Sequence, residues 1–169
     1  MSRSRILLLP VAVLLALLAL PAVRAVPAGA GDAASPVFGV TIPEGYRSWA
    51  VVAPSHRPDK DEVRAILGNE TAMKAYRDKT LPFPDGSVIA KLAWKRVKSA
   101  EFEEAFVPGA PQRIEFMVKD SKKYAATGGW GFGRFVDGAP ADEKAHNSCW
   151  PCHEASAKAQ DFVFTRYAP

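Results

Sequence analysis

An α+β fold, predominantly antiparallel β-sheet with a few helices, is the class that this 169-residue sequence predicts. Three observations carry it. Apolar, β-branched runs of strand length recur between loops rich in Pro, Asp and Gly. One of them, "QRIEFMVKD" (residues 112–120), alternates strictly: Ile114, Phe116 and Val118 point one way, Arg113, Glu115, Met117 and Lys119 the other. The helical segments are short and few, and the last, near the C-terminus and ending about Ala159, carries or adjoins both cysteines in "NSCWPCH".

The elements follow in chain order. Arg3 and Arg5 precede an apolar run over residues 6–20, then small residues in which Val23-Arg24-Ala25 and Ala28-Gly29-Ala30 both fit a cleavage site. Residues 1–30 therefore read as a signal peptide and flexible tether; the run is short for a permanent membrane anchor. Order is expected near Val37, and residues 37–169 suit a single domain with one core. "RSWAVVA" (47–53) reads as a strand ending at Pro54, and Val63, Ala65 and Leu67 alternate in a second. Asn69 can cap a helix over "ETAMKAYRDK" (70–79), with Ala72, Met73 and Tyr76 on one side. After the loop "LPFPDGS", residues 87–97 form a third strand. A short helix over residues 101–106, stopped by "PGAP", precedes the alternating strand. Asp120 can cap another, "SKKYAA". "GGWGFGRFV" (128–136) is the fifth strand, with Gly129, Gly131 and Gly133 on one face and Trp130, Phe132 and Arg134 on the other. A glycine face packs nothing by itself, so something bulky or flat must lie against it: a tightly packed helix or a ligand.

Charge excludes one partner class. The chain holds 22 Lys plus Arg against 18 Asp plus Glu, but cleavage after Ala25 removes three arginines and leaves 19 against 18. No concentrated basic face remains for nucleic acid. Lys95, Arg96 and Lys98 read as a solvated strand end.

The two thiols admit three chemistries. A redox disulfide normally opens a helix inside a βαβ unit, which is missing here. Zinc needs two further ligands, and only His56, His146 and His153 are available. Covalent haem attachment takes two thiols, Cys149 and Cys152, across the porphyrin vinyl groups, and an adjacent imidazole, His153, as axial ligand to the iron. The immediate histidine is demanded by haem alone, in an exported chain. The last helix then becomes a haem-attachment helix. For the sixth position, Met73 falls in a helical apolar stripe, Met117 on a polar strand face, and His56 in a loop, while His146 lies very close to Cys149. The iron is expected to be open on one side.

"FPDGSVIAKLAWK", "FMVKDSKKYAATGGWGFGRF", "CWPCH" and "DFVFTRYAP" stand in the order and spacing of the cytochrome P-460 family, which the sequence resembles from about Tyr46 to Pro169. The resemblance implies a small periplasmic protein with one covalently attached haem c, five-coordinate, usually a homodimer. It implies oxidation of hydroxylamine and nitric oxide, with electrons passing to a periplasmic acceptor such as a small cytochrome. The sister group, cytochrome c′-beta, implies the alternative of nitric oxide binding without turnover; a monohaem electron carrier is the third reading. In cytochrome P-460 a lysine amine is bonded to a porphyrin meso carbon, and by the match of "DGSVIAKL" that lysine is Lys91. A buried amine is desolvated and nucleophilic, though Ser87, Lys91 and Lys95 also fit a wet strand face. The family's distal carboxylate corresponds to Glu143, or less well to Asp142, in "DEKAHNSC"; both also fit an ordinary polar loop. Arg166 can pair with a haem propionate or make a salt bridge within the fold. Trp94, Phe116, Trp130 and Phe132 can wall the haem or fill the core.

Overall fold

The computed structural model describes residues 33–169. The expected signal peptide and tether, residues 1–30, lie outside the described residues. Six strands form one antiparallel sheet in sequence order: β1 (Ala50–Arg57), β2 (Glu62–Gly68), β3 (Val88–Lys98), β4 (Phe106–Lys119), β5 (Trp130–Val136) and the short β6 (Ala139–Pro140). Helix α1 (Glu70–Asp78) is inserted between β2 and β3, and α2 (Glu143–Asn147) and α3 (Cys149–Ala157) follow the sheet. This is the α+β, mostly sheet architecture that the alternation predicts.

Asn69 closes the excursion through α1 at both ends. Its Oδ1 accepts from the Ala72 N–H at 2.9 Å as the helix cap, and from the Val88 N–H, where β3 begins, at 3.0 Å. Its Nδ2 donates to the Gly86 carbonyl. One side chain thus sets where the helix starts and where the next strand resumes.

Strand alternation gives the sheet two faces, and each is covered. On one, Val52, Ile66, Ile89, Trp130 and Phe132 pack with Ala72, Met73 and Ala75 of α1, with Phe83 and with Val163 from the C-terminal segment. On the other, Leu67, Ala90, Leu92, Phe116 and Phe135 are closed off by Val40, Tyr46 and Tyr124. The N-terminal segment is part of this second cover. Order extends ahead of Val37: the buried Ser35 hydroxyl donates to the Phe132 carbonyl at 3.1 Å.

The glycine face of β5 belongs to the second layer, and neither a helix nor a ligand fills it. A Cβ on Gly131 would lie 2.2 Å from Cζ of Tyr124, and one on Gly133 would lie 2.8 Å from Val40. The tyrosine ring and the N-terminal segment occupy that space. Two expected helices are also replaced. Residues 101–105 form turns, and β4 already begins at Phe106. Pro108 and Pro111 are tolerated because they face Arg96 and Trp94 at register shifts, where β4 pairs with β3 alone. After Asp120, whose carboxylate does accept from the Lys122 and Lys123 N–H groups, the chain makes turns and one 3-10 turn (Ala125–Thr127). β6 and α2 go beyond the five strands and the helices expected.

Candidate functional site

The spacing of "CWPCH" decides the site's geometry. Positions three and four apart on a helix share a face, so α3 presents Cys149, Cys152 and His153 together. Both thiols are free, Cys149 half-buried and Cys152 exposed, and burial pushes the Cys149 thiol up. Cys149 and Trp150 pack on the first core layer, so this face meets the sheet.

His153 is held from behind. Its Nδ1 lies 2.7 Å from the Phe162 carbonyl. A carbonyl only accepts, so Nδ1 carries the proton and Nε2 keeps its lone pair. Nε2 has no hydrogen-bond partner among the described residues. The Phe132 and Phe164 rings flank the imidazole at 5.0 and 4.8 Å between centroids. Burial pulls its pKa below the ordinary value, favouring the neutral, ligating form.

Opposite stands a row across the sheet. Lys91 on β3 pairs in register with Glu115 on β4, and Glu115 with Arg134 on β5. Glu115 Oε1 accepts from Arg134 at 2.8 Å (Nε) and 2.7 Å (Nη2). Its Oε2 is ion-paired with the Lys91 ammonium, and the Arg113 Nε lies 3.5 Å away. The Lys91 and Glu115 side chains are 29% and 15% exposed, so the strand face is not simply wet. Burial alone would raise the Glu115 pKa, but the surrounding cations of Lys91, Arg134 and Arg113 bring it down to about 2. Burial pulls the Lys91 ammonium below its usual value, by more than the Glu115 charge restores. Phe132, whose ring meets His153 at 5.0 Å, shares its face of β5 with Arg134, so the row runs beside the helix face.

The other expected residues are distributed as follows. Glu143 is exposed on the first turn of α2 and is not brought to this cluster; Asp142 is the α2 cap, accepting from the Ala145 N–H at 2.8 Å. The carboxylate on the strand face beside Cys149 and His153 is Glu115, which sequence reading left as one polar residue on a strand. Its signal was parity: Glu115 points the same way as Lys91 once the β3–β4 register is known. His146 is fully buried, with Nδ1–H donating to the Asp142 carbonyl and Nε2 accepting from the Arg134 N–H at 3.0 Å. Both its nitrogens are used: Nδ1 within α2 and its cap, and Nε2 in fastening α2 to β5. Met73 is core, and His56 stacks on Phe106 on the β3–β4 hairpin. Met117 lies on the site face, in register with Ile89 and Phe132. Trp130 and Phe132 are on the site layer, whereas Phe116 and Trp94 belong to the opposite one. Arg166 is exposed and makes no ion pair among the described residues; it lies near Tyr76, whose buried hydroxyl has no hydrogen-bond partner.

The donor set suits a haem: two unpaired thiols one turn apart and an imidazole with a fixed tautomer and a free Nε2. Among the described residues no cluster of three or more His, Cys, Asp or Glu is placed to hold a metal ion by itself. No curated protein matches the chain at a significant level. The family model for Cytochrome P460, however, matches residues 43–165, from the loop before β1 to four residues from the C-terminus. By that match, over well more than half of its length, this chain belongs to the cytochrome P460 family and is a haem protein.

Proposed function

We propose that this chain is an exported, periplasmic c-type haem protein that oxidises small nitrogen species such as hydroxylamine and nitric oxide. The observation that carries the proposal is the pairing of His153, fixed at Nδ1 and free at Nε2, with the Lys91–Glu115–Arg134 row across from it. Cys149 and Cys152 anchor one haem c by thioether bonds, and His153 is the axial ligand. When bound, the haem supplies an iron that takes a small nitrogen ligand and passes its electrons on to a small periplasmic acceptor. Oxidation of hydroxylamine releases protons, and Glu115 is the carboxylate at hand to receive them. With its pKa near 2 it is a weak base at neutral pH while Lys91 keeps its charge. A Lys91 nitrogen bonded to a porphyrin meso carbon, in place of the meso hydrogen and with two electrons and two protons given up to an external oxidant such as peroxide, would carry no positive charge and would leave Glu115 with a higher pKa. Arg166, with no acid of its own, is free to pair with a propionate, and the unpartnered Tyr76 hydroxyl nearby offers that anion a second donor.

A second reading, nitric oxide binding without turnover in the manner of cytochrome c′-beta, is favoured by the same ion pair if it persists, because Glu115 is then no proton acceptor. An electron carrier needs a sixth ligand; His146 and Met73 are both engaged in the fold, which leaves Met117 on the site face as the one candidate for that reading among the described residues.

The chain is also proposed to act as a homodimer. The β3–β4 hairpin runs beyond its neighbours with Val97, Phe106 and Val107 partly exposed and Phe102 72% exposed. Lys95 and Arg96 are paired with Asp61 within the chain, so the exposed apolar side chains of the hairpin are what a second copy related by a two-fold axis would cover.

The test is turnover of hydroxylamine with a soluble cytochrome acceptor. Wild-type protein reduces the acceptor, and Glu115→Gln loses at least ~10-fold in kcat. Binding of nitric oxide with no acceptor reduction by wild-type protein establishes the second reading instead.

A further inference from the structure

The carbonyl that holds His153 belongs to backbone that needs external support. Asp161 and Phe162 are consecutive residues in left-handed conformation, φ 50° and 64°, which aspartate tolerates but a bulky phenylalanine adopts reluctantly. The support is a buried ion pair. Lys119, on β4, donates to both Asp161 carboxylate oxygens at 2.8 and 2.9 Å and to the Gly128 carbonyl at 3.0 Å. The same carboxylate accepts from the Phe83 N–H at 2.8 Å, and the Asp161 carbonyl accepts from Trp130 Nε1 at 2.8 Å. Asp161 is thereby tied to β4, to β5 and to the loop before β3. The Phe162 ring fills the space left by Gly128, where a Cβ would lie 2.3 Å from it, and meets Trp150 at 4.8 Å.

The pair's side chains are only 5% and 7% exposed. A buried ion pair is weak evidence for stability, because desolvation offsets its attraction; its better-attested use is to fix one arrangement among several. The arrangement fixed here is the Asp161–Phe162 turn. We propose that Lys119 and Asp161 are positioning residues for the axial ligand: their ion pair aims the Phe162 carbonyl at His153 Nδ1–H and so sets how much electron density the imidazole donates. This rests on His153 as the iron ligand. A strong acceptor on Nδ1 makes a histidine a more basic ligand.

Asp161→Asn tests it. Asparagine tolerates the left-handed backbone and keeps the side chain's size while removing the charge. In the reduced protein, the iron–histidine stretch read by resonance Raman should move to lower frequency and broaden, and the midpoint potential should rise, with haem content unchanged. Leu67→Ala, in the opposite core layer, supplies a control of lowered stability with an unshifted stretch. If Asp161→Asn lowers the thermal midpoint but leaves stretch and potential at wild-type values, the pair is structural only and the proposal falls. Should that variant not accumulate, Lys119→Gln is read by the same measurements. A protein that carries no haem by the pyridine haemochrome assay refutes the proposed function but not the bracket. In that case nuclear magnetic resonance of the same sample decides: a slowly exchanging His153 Nδ1 proton lost in Asp161→Asn supports the bracket, and one retained overturns it.

Discussion

Glu115 sits among Lys91, Arg113 and Arg134, and its ionisation links stability to pH. Its folded pKa of about 2 lies below the ordinary carboxylate value. The stabilisation is therefore fully present above about pH 4.5 and is lost as pH falls toward 2. Urea midpoints measured from pH 6 to pH 3 should fall more steeply for wild-type protein than for Glu115→Gln. Parallel slopes would show that the cluster does not hold the carboxylate. Cys149→Ser and Cys152→Ser should each weaken covalent haem retention, and the double variant should abolish it, read by haem stain after denaturing electrophoresis. At this scale the sequence was uneven. "CWPCH" displayed its chemistry because all three residues fall within one helical turn and a half. Glu115 did not, because its role arises from cross-strand pairing with Lys91, 24 positions earlier, and with Arg134. Glu143 looked suitable by nearness in sequence to Cys149, but α2 turns it to solvent.

Among the elements, β5 and the cap of α1 determine how the layers meet. Gly131→Ala forces a methyl into the Tyr124 ring and should destabilise by about 1–3 kcal/mol, the usual cost of overpacking. Asn69→Ala removes the cap of α1 and the bridge to β3 and should cost about 1–2 kcal/mol. Chemical denaturation checks both; a change within about 0.5 kcal/mol, as at ordinary surface positions, would contradict the roles given to them. The alternating strands and the Asn69 cap were readable because both are local. The helix expected at residues 101–106 was not borne out because proline normally ends pairing. Here Pro108 and Pro111 fall at register shifts on the arm, which only tertiary pairing reveals. The glycine face of β5 announced a close approach without saying by what, since Tyr124 and Val40 reach it from separate segments.

Across the whole molecule, one sheet separates two tasks. The layer under Val40, Tyr46 and Tyr124 is plain core, and the layer under α1 and α3 carries the site. The projecting β3–β4 hairpin is the surface proposed for self-association. Sedimentation velocity should show a dimer for wild-type protein and mainly monomer for Phe102→Glu, and a wild-type monomer at micromolar concentration would refute the dimer. The central claim is that Lys91, half-buried in register with Glu115, modifies a covalently held haem and thereby releases the carboxylate for proton transfer. The visible spectrum of the purified, dithionite-reduced protein tests it most directly. The account predicts a broad, strongly red-shifted Soret band that vanishes in Lys91→Ala. An ordinary high-spin haem c spectrum, the same in both proteins, would contradict it.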